Sequence, residues 1–96
     1  MGYYIQTSEP FGKAAEIAQK YNGQIIEKPE SYQDIPTGKA LIVVVRNAFF
    51  EAAGFCHNEY EFNAWFDDPT DMRPMQFVLI DREIAERESG YQKAKE

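Results

Sequence analysis

The chain has 96 residues, 44% of them hydrophobic and 27% charged, and carries a net charge of −6. This is ordinary globular composition at the length of one domain, so it excludes a disordered chain and a two-domain one. A single cysteine excludes an internal disulfide framework and a four-Cys zinc site, no apolar run approaches the roughly 18 residues of a spanning helix, and the N-terminus lacks the basic-then-apolar pattern of a signal peptide, so a cytoplasmic protein is expected.

In chain order, Tyr3–Gln6 reads as a first strand. Thr7 or Ser8 then reads as a helix N-cap, with Glu9 and Pro10 in the favoured first turn. Phe11, Ala14, Ala15, Ala18 and Tyr21 recur at helical spacing, with Ile17 widening the stripe, and Asn22-Gly23 ends the helix. Gln24–Glu27 is a second short strand. Residues 28–38, with Pro29, Pro36 and Gly38, are loop with one turn near Ser31. Ala40–Val45 is an unbroken apolar run, hence a central strand covered on both faces. Arg46-Asn47-Ala48 turns the chain, and Phe50–His57 returns as a hairpin arm in which Gly54 marks a weak point or bulge. A helix over 48–54 is the rival for this arm.

Asn58 caps a short helix over Tyr60–Phe66, with Glu61 completing a capping box and Phe62, Trp65 and Phe66 facing inward. The Asp67–Asp71 segment breaks it. Phe77–Ile80 is a second central strand. Asp81 caps a last helix, expected to carry Arg82–Glu86 and Glu83–Arg87 pairs, to turn Ile84 and Tyr91 inward and to end at Gly90. The pattern β-α-β-β-β-α-β-α predicts one α+β domain over residues 1–91. It has a mixed or antiparallel sheet of about five strands, two or three packed helices and a frayed tail at 92–96.

The charge is concentrated. Between Asn47 and Met72 there is no Lys or Arg, while Glu51, Glu59, Glu61, Asp67, Asp68 and Asp71 supply six acids; elsewhere acids and bases balance. The same window holds half of the aromatics: Phe49, Phe50, Phe55, Tyr60, Phe62, Trp65 and Phe66. An acidic, aromatic-rich surface suits a basic partner, since charge steers encounter and rings supply contact area. The expected partner contacts are Glu59, Glu61, Asp67, Asp68 and Asp71, with Phe49 or Tyr60 as apolar anchor. A plainer reading turns the aromatics to the core and the acids to water.

Other chemistry is poorly provided for. The six glycines form neither a dinucleotide fingerprint nor a phosphate loop. Cys56 and His57 are neighbours on a strand and point to opposite faces, so they make no catalytic dyad; they read as a buried thiol and a surface histidine, with no further His or Cys to complete a metal site. The Asp67/Asp68/Asp71 loop lacks the glycine and downstream Glu of a calcium loop. No catalytic residue, metal or cofactor is therefore expected. Clustered charge of negative sign disfavours direct nucleic-acid binding. If the two central strands are antiparallel, Arg46 and Arg73 come to the same sheet end, where they could hold a phosphate. This is the alternative reading, a protein that binds or sequesters a nucleotide.

The segments Phe50-Glu51-Ala52-Ala53-Gly54 and Asp68-Pro69-Thr70-Asp71-Met72-Arg73-Pro74, followed by an apolar strand, Asp81 and Gly90-Tyr91, resemble small proteins of tailed bacteriophages. The acidic segment, the Arg-Pro pair, the apolar strand and the Asp are also similar to the phage inhibitors of uracil-DNA glycosylase. There the proline spacing differs by one residue, and Pro29-Glu30-Ser31 loosely echoes the inhibitors' edge-strand contact motif. Both likenesses imply a phage-type protein that acts in the host cytoplasm by binding, and thereby inhibiting or redirecting, a host protein; the uncompensated acids of residues 47–72 add the expectation that this partner presents a basic surface. An edge strand without internal Lys or Pro further predicts a homodimer, unless a helix covers that edge.

Overall fold

The computed structural model describes residues 11–47, 49–68, 70 and 73–90. In chain order they form α1 (Gly12–Lys20), β1 (Gln24–Ile26), a 3-10 turn (Tyr32–Asp34), β2 (Lys39–Arg46), β3 (Glu51–Cys56), α2 (Glu59–Trp65), β4 (Met75–Asp81) and α3 (Arg82–Ser89). The strands make one antiparallel sheet in the order β1-β4-β2-β3. This is an α+β fold with four strands and three α-helices among the described residues. The expected first strand Tyr3–Gln6, the inward Tyr91 and the tail 92–96 lie outside them.

The two apolar runs are the two central strands, β2 and β4, for the reason their composition implies: a strand with no polar face must be covered on both sides. Alternation then sorts the core into two layers. Ala40, Ile42, Val44, Val78 and Ile80 face α1 and α3, packing with Phe11, Ala14 and Ala85. Leu41, Val43, Val45, Met75 and Phe77 face the other way, with Cys56 and Phe62 and the half-buried Tyr32, Trp65 and Phe66. On the first face small alanines let helices lie close. On the second, large rings span the gap to two short helical pieces.

Several local expectations change. The N-cap of α1 is Phe11, not Thr7 or Ser8, and Phe11 has no capping side chain of its own. The cap is borrowed from the far chain: Glu51 Oε1 accepts from Lys13 N at 2.9 Å, and Gln76 Oε1 accepts from Phe11 N at 2.7 Å. Ala15, expected on the apolar stripe, is exposed. At the helix end it is Asn22 that is left-handed (φ 54°), while Gly23 N–H returns to Ala18 O at 2.7 Å. Gly23 is required for a different reason, close approach: a Cβ there would lie 2.7 Å from Ile80 Cγ2 and 2.8 Å from the Leu79 carbonyl.

The arm after Asn47 is strand, not the rival helix over 48–54. Asn47 turns the chain with its side chain: Oδ1 accepts from Phe49 N (2.7 Å) and Phe50 N (3.0 Å), and Asn47 N donates to Phe50 O at 3.0 Å. Gly54 is no bulge, because pairing runs unbroken from Arg46↔Glu51 to Leu41↔Cys56. Near Ser31 the expected turn forms, closed by a reciprocal Ser31/Asp34 capping box. Pro29-Glu30-Ser31 is thus loop and cap, not strand. Asp81 precedes α3 without capping it; its carboxylate binds Lys39 Nζ at 2.7 Å. The expected i,i+4 pairs give way too. Arg82 turns to His57 O (2.8 Å) and Tyr32 Oη (3.0 Å), and Arg87 pairs with Glu88 at 3.8 Å. Gly90 ends α3 in the left-handed conformation, φ 73°.

Candidate functional site

The acidic, aromatic window builds one outer wall of the molecule: the edge strand β3 and the helix α2 that doubles back over it. Asn58 starts α2 by accepting from Glu61 N at 2.9 Å. The expected capping box is left half made, because the Glu61 carboxylate reaches one residue further back. It accepts from His57 N at 2.8 Å and meets His57 Nδ1 at 3.0 Å. Phe62 then drops into the core, and one turn on Trp65 lies over Gly54 so closely that a Cβ there would collide with Cζ2 of the indole. Glycine is the residue that lets α2 close on β3.

Along this seam runs a groove of about 350 Å³ lined by Phe55, Tyr60, Ala64 and Trp65, with Glu61, Asp68 and Arg73 as its charged members. Tyr60 is 82% exposed. Asp68 Oδ1 accepts from Thr70 N (2.9 Å) and Oγ1 (2.7 Å), which fixes its carboxylate at the mouth of the loop.

The structure divides the predicted contact residues. Tyr60, Glu61 and Asp68 share the groove. Glu59 points to Gln33, Nε2–Oε2 3.3 Å, and Asp67 is exposed beyond the end of α2. Phe49, 93% exposed, belongs to the hairpin tip, where it lines a separate cavity of about 290 Å³ with Phe50, Arg46, Asn47 and Glu51. Asp71 lies outside the described residues. Charges separated in sequence also converge in space. Arg46 meets Glu51 at 3.3 Å, Arg73 joins Asp68 in the groove wall, and Lys28 Nζ lies 4.8 Å from the Phe66 ring centre. The window without a base is therefore not a surface without a base.

Arg46 and Arg73 do come to one end of the sheet, since β2 and β4 are antiparallel and Arg46 N donates to Pro74 O at 3.1 Å. They do not converge. Arg46 stacks on Phe11, 4.0 Å from the ring centre, and no described cavity is lined by both arginines.

His57 is the residue that sequence reasoning misplaced. It is 6% exposed, stacked on Phe55 with ring centres 5.7 Å apart. Its Nδ1 faces Glu61, and its Nε2 lies 2.8 Å from Ser89 Oγ at the end of α3. Two signals for burial were available. Phe55 and His57 share a face at i,i+2 on an extended chain, and Glu61 follows at i+4. Ser89–His57–Glu61 has the connectivity of a nucleophile, base and orienting acid. Ser89, however, closes a helix rather than opening one, and none of the described cavities is lined by Ser89 or His57. The trio ties the ends of β3, α2 and α3 together. Cys56, on the opposite face as expected, is held in its thiol form: burial first, then the Glu61 charge, pushes it up to about 12. Among the described residues no three His, Cys, Asp or Glu side chains gather to hold a metal ion, and no helix is long and apolar enough to cross a membrane.

No protein-family model, curated protein or solved structure matches the chain significantly.

Proposed function

We propose that this chain is a non-enzymatic binding protein of phage type, which inhibits or redirects a host protein by engaging a basic surface on it. The observation that carries this reading is the groove between α2 and β3, where an exposed tyrosine and a half-buried tryptophan lie beside Glu61 and Asp68. Large rings beside two carboxylates, which outnumber the single base Arg73 in the groove, supply the two ingredients of a steered, anchored contact. Phe49 and Phe50 at the hairpin tip form a second apolar patch, outside the groove. The nucleotide-binding alternative gains nothing from the geometry, because its two arginines line different cavities.

The test is affinity purification of a partner from host lysate with the wild type and with a Glu59→Lys/Asp67→Lys/Asp68→Lys variant, each at low and high salt. Glu61 is left intact because it holds His57. A partner retained by the wild type at low salt, shed at high salt and absent from the variant supports the reading, since exposed charge pairs are screened within about 8–10 Å. A partner held equally by both proteins at either salt overturns it.

A further inference from the structure

Among the described residues β1 and β3 form the two edges of the sheet, and they are protected to different degrees. β1 is three residues long and is followed, after Glu27, by Lys28 and Pro29, both of which discourage an added strand. β3 is six residues long, contains no Lys, Arg or Pro, and pairs with β2 without a bulge. Its one charged residue, Glu51, is turned inward on Arg46 and the start of α1. The register shows which backbone groups are left over. Asn47 and Phe50 form a hydrogen-bonded pair that closes the hairpin. In an antiparallel ladder such pairs alternate with pairs that exchange no bond. Val45↔Ala52, Val43↔Gly54 and Leu41↔Cys56 are then the bonded pairs, and the N–H and C=O groups of Glu51, Ala53 and Phe55 point away from the sheet. Arg46 agrees with this phase, because its N–H is turned from β3 towards Pro74 O.

Among the described residues no strand takes up this row, and beside it lies the groove of Tyr60, Glu61, Trp65, Asp68 and Arg73, with Phe55 belonging to both. We infer that β3 is a docking edge for an extended, basic segment of the partner protein, which adds to the sheet as a further antiparallel strand and reaches the groove acids with alternate Lys or Arg side chains. The backbone row supplies register and the groove supplies sign. A second copy of this chain would fit the backbone row but would set Glu61 and Asp68 against their own kind, which charge complementarity disfavours. The inference rests on the binding-protein reading and names the form of the partner.

The test uses the whole protein and three synthetic capped hexapeptides: alternating Lys-Val, the same peptide N-methylated at every second residue, and alternating Asp-Val. Amide exchange is followed by NMR. The Lys-Val peptide is expected to slow exchange at Ala53 and Phe55 at least tenfold and to lose affinity as salt rises, while the methylated and acidic peptides do neither. Equal binding of the methylated peptide overturns strand addition and leaves an acidic docking surface standing. Equal protection by the Asp-Val peptide overturns the charge reading and leaves the open edge standing. Binding by none of the three overturns the inference. Protection of Ala53 and Phe55 that grows with protein concentration, without peptide, assigns the edge to a second copy and overturns it as well.

Discussion

The two faces of this sheet are covered by different means. Over one, α1 and α3 lie flat on alanines, and Phe11 is the single large side chain completely buried there from a helix or its cap. Over the other, the 3-10 turn and the seven-residue α2 are too short to shield a sheet by length. Their cover comes from rings: Phe62 against Phe66 with centres 4.8 Å apart, Phe66 against Phe77 at 5.9 Å, and Tyr32 edge-on to Phe62 at 6.1 Å. A face closed by close backbone contact has little left to offer a partner. A face closed by rings on a short helix leaves ring edges and helix flank at its margin, and the groove of Tyr60 and Trp65 lies at that margin.

The largest effect is expected where the ring cover is removed. Phe62→Ala should cost about 3–5 kcal/mol in denaturant unfolding, because the short α2 cannot collapse into the cavity. Substitution in the tight contacts comes next. Gly23→Ala, which pushes a methyl against the Leu79 carbonyl, should cost about 1–3 kcal/mol, and Gly54→Ala should cost a similar amount by displacing Trp65. The two differ in a second readout. Gly54→Ala should shift tryptophan fluorescence in the folded state and Gly23→Ala should not; equal spectra would erase the distinction between the faces.

A smaller effect comes from Cys56. Its folded-state value of about 12 lies above the ordinary 9.0, so the unfolded chain gives up this proton first as pH rises. The stabilising contribution is whole below pH 9 and shrinks between pH 9 and 12. The wild type should lose stability across that window more steeply than Cys56→Ala, and the thiol should resist disulfide reagents at pH 8 until the protein is unfolded. The least effect on stability is expected from Tyr60→Ala, within about 0.5 kcal/mol of wild type. A larger loss would show that the exposed ring supports the fold and does not wait for a partner.

The central strands were legible because Ala40–Val45 and Phe77–Ile80 leave no polar face, and α2 because Asn58 and its inward aromatics agree on one start. Capping was not legible where the caps come from afar. Nothing local to Phe11 announces that Gln76 and Glu51 will satisfy its helix, since those partners lie 65 and 38 residues away. The same holds for His57, whose second partner is Ser89 at a separation of 32. The acidic window is more uniform in sequence than on the surface. Glu51 serves α1 and Arg46, Glu61 serves His57, and Arg73 enters the groove from outside the window.

The borrowed caps of α1 have a consequence for the order of folding. Alone, nine residues do not hold a helix in water, since a chain must exceed about 12–15 residues even with good helix formers. The groups that steady its first turn reside on β3 and β4, and those strands must be in register before Glu51 and Gln76 stand beside it. The β2–β3 hairpin is the local event, β4 joins it across the intervening helix, and α1 is expected to settle after both although it is synthesised before them. A nascent chain stalled before β4 emerges should therefore leave residues 12–20 open to proteases, and release of the full chain should close them.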